Sequence, residues 1–368
     1  MRTVRRLLYR DIVGSVAFVA LAFLSLFFFI DFVEELGDVR PTGYTTWQAA
    51  WYSALSVPGH LYELMPIAVL IGGIYALARL AQSSEFTILR TAGLGPGRAL
   101  GLLAALGVAF GVFTYLVGDH LAPLSERRAT EAQAEAKGGR RLGGTGAWLK
   151  DHARTEAGER SYSVNIGAAS SGARLSDVRI FEFDADGRLV SRMSAAHALI
   201  GADDVWTLED ATVTRWTDVG GATTVRDERH ATIAWRSTLS ADVVAAAVLP
   251  VSTMSTIELY RYIGHLANNE QAAQSQEIRF WKRAFYPFAC LVMMALALPF
   301  AYMHARAGSV SFKVFGGIML GISFVLLNNV ASHLGMLRNW TPWVAAVTPS
   351  VIYLLLSLAA FSWLVRYR

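Results

Sequence analysis

Glu85 has the most informative surroundings of any residue able to do chemistry. Ser83 and Ser84 precede it and Gly93 follows. The spacing predicts a short helix over 83–92, capped by a serine hydroxyl and ended by a glycine. Glu85 falls in its first turn, where the helix dipole favours an acid. Phe86, Leu89 and Ala92 share one helical face, and an apolar face exposed there needs a partner. The stretch Asp31-Phe32-Val33-Glu34-Glu35-Leu36-Gly37-Asp38-Val39-Arg40 is a second candidate, with four acids against the single base Arg40. It reads as a solvated acidic loop that obeys topology. Asn328-Asn329 lie inside an apolar run, where polar side chains are costly and often functional. Their amides are expected to hydrogen-bond to a neighbouring helix. Asp119 and His120 close another apolar run and read as helix-end residues.

Enzymatic readings find no support. Gly-Lys does not occur, so the phosphate-cradling Gly-x-x-x-x-Gly-Lys loop is missing. Gly93–Gly97 lacks nucleotide-loop spacing and reads as a turn. The eight histidines show no His-Glu-x-x-His pattern, and no Gly-x-Ser-x-Gly elbow occurs. The lone cysteine, Cys290, sits in an apolar run and reads as a packed residue.

The elements that position these residues follow from hydropathy. The chain has 368 residues, 54% of them apolar. Residues 123–275 hold 17 basic and 20 acidic residues, leaving 16 basic and 9 acidic elsewhere. The net positive charge therefore belongs to the apolar ends and reports topology rather than nucleic-acid binding. Six runs meet the length of about 20 residues that a bilayer demands. They are Ile12–Ile30, Trp47–Leu80, Pro96–Leu121, Phe280–Tyr302, Val310–Leu334 and Trp343–Val365. Pro58 and Pro66 are expected to kink or interrupt the second. The arginines at 2–10, Arg79, Arg90, Arg98, Arg306, Lys313, Arg366 and Arg368 fall on one side, which the positive-inside rule makes cytoplasmic.

Between the third and fourth spans, Ser125–Lys137 reads as a helix. Six strand-like runs follow: Ala147–Lys150, Arg160–Ile166, Val178–Asp184, Leu189–Ile200, Val205–Trp216 and Thr223–Ile233. Asp186-Gly187 and Gly220-Gly221 are hairpin signals. Ser255–Asn268 is a returning helix. The expected fold is an α-helical membrane protein with an inserted all-β domain, six transmembrane helices (3+3) flanking a periplasmic jelly-roll-like domain. Its parts are 1–122, 123–275 and 276–368. Ile180, Phe181, Leu199, Trp206, Leu208, Trp216 and Trp235 are the expected inward residues, as an apolar groove or as core.

Several motifs occur in order along nearly the whole chain: Leu55-Ser56-Val57-Pro58, Leu80-Ala81-Gln82-Ser83-Ser84-Glu85 with Ala92-Gly93, Gly118-Asp119…Ala122-Pro123, Trp148-Leu149-Lys150-Asp151, and Tyr286-Pro287…Val292–Leu298. Together with the 3+β+3 layout, they resemble the LptF/LptG permease family. The Ala81-Gln82 start and the Trp148–Asp151 run favour the LptG branch.

The resemblance implies a non-catalytic permease subunit of an ABC transporter, located in the bacterial inner membrane with both termini cytoplasmic. It implies pairing with the sister permease LptF, driving by an LptB ATPase dimer that binds ATP and Mg²⁺, and delivery of lipopolysaccharide to LptC and LptA. No cofactor is expected in this chain. Ser84, Glu85, Phe86, Leu89 and Arg90 would then form the ATPase-coupling helix. Phe28, Asp31, Glu34, Glu35, Arg40, Asn328 and Asn329 would lie at the lipid site or gate. The first span's outer end departs from its relatives, which carry lysines there. LptF supplying the bases, bridging divalent cations, or a lipid with less phosphate each reconcile the difference. A lipoprotein-releasing ABC permease and the LptF branch are the alternatives; the former usually has four spans.

Overall fold

In the computed structural model, the described residues are 2–37, 39, 45–91, 93–136, 140–141, 146–155, 158–170, 174–201, 205–219, 222–239, 241, 243–244, 254–268, 273–302 and 310–366. The chain divides into two compact units. The first holds Met1–Val33, Ser53–Ser125 and Gln274–Arg368, and the second Glu34–Tyr52 and Glu126–Ala273.

Among the described residues, six helices are long and apolar enough to cross a membrane. They are α1 (Arg2–Leu36), α2 (Thr46–Gln82), α4 (Pro96–Leu116, continued by a π turn at Val117–Leu121 and by α5, Ala122–Ala136), α7 (Gln274–Tyr302), α8 (Val310–Leu337) and α9 (Pro342–Arg366). The short α3 (Glu85–Thr91) joins α2 to α4, and α6 (Thr256–Asn268) precedes α7. The expected interruption of the second span does not occur: α2 runs through Pro58 and Pro66 as one helix of 37 residues. Membrane helices tolerate proline where neighbours satisfy freed backbone groups. Here the Tyr286 hydroxyl donates to the Glu63 carbonyl at 2.5 Å, in the turn before Pro66.

Helix α2 is the interior helix of the first unit, with Ala68, Val69, Leu70, Ile74, Ala76 and Leu77 fully buried. Glycines set how closely its neighbours approach. A Cβ on Gly72 would lie 2.6 Å from the Val16 backbone, and one on Gly111 would lie 2.8 Å from the Pro287 carbonyl oxygen. Gly107 and Gly111 present the small face of α4 to α7, the close approach on which helices in lipid rely. Thr114 Oγ1 and Cys290 Sγ meet at 3.3 Å across the same seam, so Cys290 is a packed residue. The first half of α1 is the part packed into the core. Leu8, Ile12 and Val16 are buried, and Arg79 Nη2 donates to Asp11 Oδ2 at 3.1 Å. Beyond it Phe18, Leu21, Leu26, Phe29 and Ile30 are exposed.

The second unit carries an antiparallel sheet of six long strands: β2 (Ala147–Thr155), β3 (Gly158–Ser170), β4 (Arg174–Phe183), β5 (Leu189–Ile200), β6 (Val205–Val219) and β7 (Ala222–Arg236). Each pairs with the next in sequence. The two-residue β1 (Arg140–Arg141) adds to the far end of β3. Asp186-Gly187 forms the expected turn. Gly187 has φ 76°, and Asp184 Oδ1 accepts the Asp186 and Arg188 N–H groups at 3.0 and 2.8 Å. The Gly220-Gly221 signal lies outside the described residues.

This sheet is rolled. Strands β3 and β7 would stand about 19 Å apart if it were flat, at about 4.8 Å per strand. Yet the Tyr162 and Trp235 rings meet edge to face at 5.6 Å. The roll closes on one core of Leu149, Val164, Ile166, Ile180, Trp206 and Leu208, covered by Leu239 and Val244. Trp206 Nε1–H donates to the Leu239 carbonyl at 3.0 Å, which satisfies its polar atom inside that core.

A crease crosses the strands. Gly167, Asp177, Ala196, Asp210 and Ala231 drop out of the ladder side by side, while the register on either flank is unchanged. Asp177 and Asp210 have φ of 51° and 50°. At the crease the inward positions step by three instead of two: Leu175 to Val178, Ala195 to Ala198, and Leu208 to Ala211 are all buried. The reset corrects three of the expected inward residues. Phe181 and Leu199 alternate with the buried Ile180 and Ala198, Trp216 lies three residues beyond the buried Val213, and all three are only half-buried; Phe181 stacks instead on the exposed Trp148 at 5.8 Å.

Candidate functional site

The chain turns out of α2 at Ser83, whose hydroxyl donates back to the Leu80 carbonyl at 3.3 Å. Ser84 takes a left-handed conformation, φ 62°, and its carbonyl accepts the Ile88 N–H. The serines thus start α3 through backbone geometry, with no side-chain cap among the described contacts. Gly93, at φ 98°, ends it: its N–H donates to the Arg90 carbonyl and that of Leu94 to Leu89, both at 3.0 Å. A glycine fits because this conformation penalises any Cβ.

The expectation for the apolar face of α3 is corrected. Phe86 is only 3% exposed and belongs to the core of the first unit, with Leu89 packed against the same cluster. That face is inward because α7 and α9 supply aromatic surface for it: Phe86 meets the Tyr302 ring edge-on at 5.2 Å, and Tyr302 meets Phe361 at 6.5 Å. The Arg90 guanidinium lies 5.1 Å above the Tyr302 ring. Glu85, Thr87, Ile88 and Thr91 face outward, with Ile88 63% exposed. Glu85 and Ile88, three residues apart, are therefore the outward pair. Ala92 lies outside the described residues.

At the other end of the spans, the acids do not form a free cluster. Asp31 Oδ2 sits 2.7 Å from His60 Nε2 on α2, and Phe27 packs against the same imidazole at 5.0 Å. Phe28, half-buried, stacks parallel to Phe32 at 6.3 Å. In the second unit Glu35 Oε1 accepts from Gln133 Nε2 at 2.8 Å, and Glu34 is exposed. Asp38 and Arg40 lie outside the described residues.

Asn328 and Asn329 point differently. Asn328 is buried, and its carbonyl accepts the Ser332 hydroxyl at 2.7 Å. Asn329 is exposed on α8, and its carbonyl lies 2.8 Å from His333 Nδ1. Phe312, Phe315, Met319, Ile322, Leu326 and Val330 are exposed along the same helix.

Ile180, Trp206 and Leu208 are brought together as expected, with Trp235 beside Trp206 at 5.5 Å. They are fully covered, so they form a closed core and not an open groove.

The sequence reading missed one polar site. Arg283 of α7 donates to the Gly118 carbonyl in the π turn and lies 6.0 Å above the Tyr62 ring. The Tyr115 hydroxyl donates to Asp119 Oδ2 at 3.4 Å, and Tyr62 packs on Tyr286 at 4.7 Å. Gly118 is required here, since a Cβ would lie 2.2 Å from the Tyr62 ring. Asp119 is therefore more than a helix-end acid: it is buried beside this cluster. The π turn is a common device at functional positions in helices.

Relatives agree with this architecture. The family described as "Lipopolysaccharide export system permease LptF/LptG" matches residues 6–364. The "Lipopolysaccharide export system permease protein LptG" of Haemophilus influenzae is 26% identical over 363 residues, covering 97% of each chain. The protein of the same name from Escherichia coli K12 is 27% identical over 341 residues, covering 91% of each. A match over almost the whole length, spans and β unit included, is what shared descent of one architecture leaves, and the chain belongs to the lipopolysaccharide export system permease LptF/LptG family.

Proposed function

We propose that this chain is the LptG-type, non-catalytic permease subunit of an ATP-driven lipopolysaccharide exporter. The observation that carries this reading is α3, whose aromatic root is buried among the membrane helices while Glu85 and Ile88 face outward. A short element rooted in the spans and open on its outer face is suited to receive a push from a separate protein. That protein is an LptB ATPase dimer, which binds ATP and Mg²⁺. The basic residues of the loops facing α3 orient that side to the cytoplasm, and the β unit to the periplasm.

The lipid is taken from the outer leaflet of the inner membrane into a cavity shared with the sister permease LptF. The exposed second half of α1 and the open face of α8 with Asn329 line that cavity or its gate. Asp31 is engaged by His60 and Glu35 by Gln133, which leaves few free carboxylates for a bridging cation. The reading in which LptF supplies the bases for the lipid phosphates is therefore preferred. The β unit then passes the lipid towards LptC and onward to LptA. Six spans argue against a four-span lipoprotein-releasing permease.

The test is purification of the chain from its native membrane, with mass spectrometry of what accompanies it. The expected result is an ATPase, a second permease of this family and bound lipopolysaccharide. A complex holding an ATPase with a lipoprotein and no lipopolysaccharide would overturn the reading.

A further inference from the structure

We propose that Tyr302 is the positioning residue that ties α3 to the membrane helices, so that displacement of α3 is carried into α7 and α9. The proposal rests on the reading of α3 as the ATPase-docking helix. Tyr302 is the last residue of α7 and is 5% exposed. Two residues of α3, four apart and so on one helical face, hold its ring. Phe86 meets it edge to face, at 5.2 Å and 83°, and Arg90 sets its guanidinium 5.1 Å above it. One contact would let a helix of seven residues roll; two fix its rotation as well as its distance. The ring also meets Phe361 of α9 at 6.5 Å and 78°. Three elements thus share one side chain. Its hydroxyl is buried without a hydrogen-bond partner among the described residues. The ring, and not the hydroxyl, makes the link.

The test uses the full transporter in vesicles, with lipid released per ATP hydrolysed as the readout. Tyr302→Ala removes an edge-to-face pair and a cation–π contact, and a fall of about tenfold in that ratio is expected. Tyr302→Phe keeps the ring and should hold the ratio to within about twofold of the parent. Arg90 is exposed, so Arg90→Gln leaves the core intact. It should lower the ratio in the parent and have no further effect on Tyr302→Ala, the non-additivity expected of contacting residues. A ratio unchanged in Tyr302→Ala, an equal loss in Tyr302→Phe, or additive effects of the two substitutions would each overturn the proposal. Should Tyr302→Ala fail to assemble, Arg90→Gln against Tyr302→Phe carries the test, and an unchanged ratio in Arg90→Gln overturns it. Ile88→Cys crosslinking to the ATPase separates the two claims. An absent crosslink sinks the docking reading, whereas a crosslink with normal coupling in Tyr302→Ala sinks only the role of Tyr302.

Discussion

Ser237 donates its hydroxyl to Asp151 Oδ2 at 2.6 Å, joining the end of β7 to β2 at the opposite edge of the sheet. The Thr238 N–H donates to the same oxygen at 3.1 Å, and the Thr238 hydroxyl donates to Oδ1. Asp151 is 1% exposed, and these donors satisfy its buried carboxylate oxygens. This gives the Trp148-Leu149-Lys150-Asp151 motif a physical meaning: Leu149 enters the core and Asp151 fastens the roll. Asp151→Ala should remove the common acceptor of three hydrogen bonds from Ser237 and Thr238 and destabilise the β unit by about 1.5–3 kcal/mol. Chemical denaturation of the full chain in detergent, followed by tryptophan fluorescence, measures it.

The crease makes a prediction of opposite signs. Asp210 holds φ 50°, a conformation that glycine adopts freely and β-branched residues resist. Asp210→Gly should leave stability within about 1 kcal/mol of the parent, and Asp210→Val should cost more than that. The same denaturation assay decides it. Equal effects of the two variants would mean that the crease does not depend on backbone conformation at this position.

In the membrane unit, Gly111→Val would force methyl groups against the Pro287 carbonyl, which already lies 2.8 Å from an ideal Cβ. Backbone cannot yield as a side-chain tip does, and overpacking of this kind costs about 1–3 kcal/mol or more. Thermal stability of the detergent-solubilised chain should fall, whereas Gly101→Val, with open space around its Cβ, should leave it near the parent value.

Acid should loosen the second unit in two stages. Burial lowers the His265 pKa, so the unfolded chain takes up a proton more readily than the folded one. That stability is present above the usual histidine value of about 6.5 and is lost as pH falls below it. Glu258 acts lower on the scale. Burial raises its pKa, but the Arg127 hydrogen bond, the Ser255 N–H and the Arg127 charge outweigh it and hold the net value down. Its contribution is present above the usual glutamate value of about 4.3 and fades as pH falls through its lowered value. His265→Gln should remove the first stage and leave the second, as read by unfolding midpoints between pH 7 and 3. A first stage that survives the substitution would refute the assignment.

The spans and strands were legible because each rests on local information: apolar length for α1, α2, α4 and α7–α9, alternation and turn residues for β2–β7. Ser255 and Glu258 form a reciprocal capping box, so the start of α6 was also visible. What stayed hidden depends on distant partners. Strict alternation puts Leu199 and Trp216 inward, and only the left-handed aspartates at 177 and 210 reset that count. Phe86 reads as an outward anchor until Tyr302, more than 200 residues later, is seen to receive it. Ile88, the apolar residue left outside, carried no signal except its three-residue spacing from Glu85. Arg283 carried no local signal, because its contact with Gly118 links positions 165 residues apart.

Under the proposed function, ATP hydrolysed elsewhere moves lipopolysaccharide through this chain by way of α3. Vesicles containing lipopolysaccharide, this chain, its sister permease and the ATPase would be given a soluble periplasmic acceptor, and lipid transfer would be followed after ATP addition. Transfer is expected to require ATP and to fall by about tenfold or more in Glu85→Ala, the scale of losing one charged hydrogen bond. Transfer that proceeds without ATP, or that is unchanged in Glu85→Ala, would contradict it.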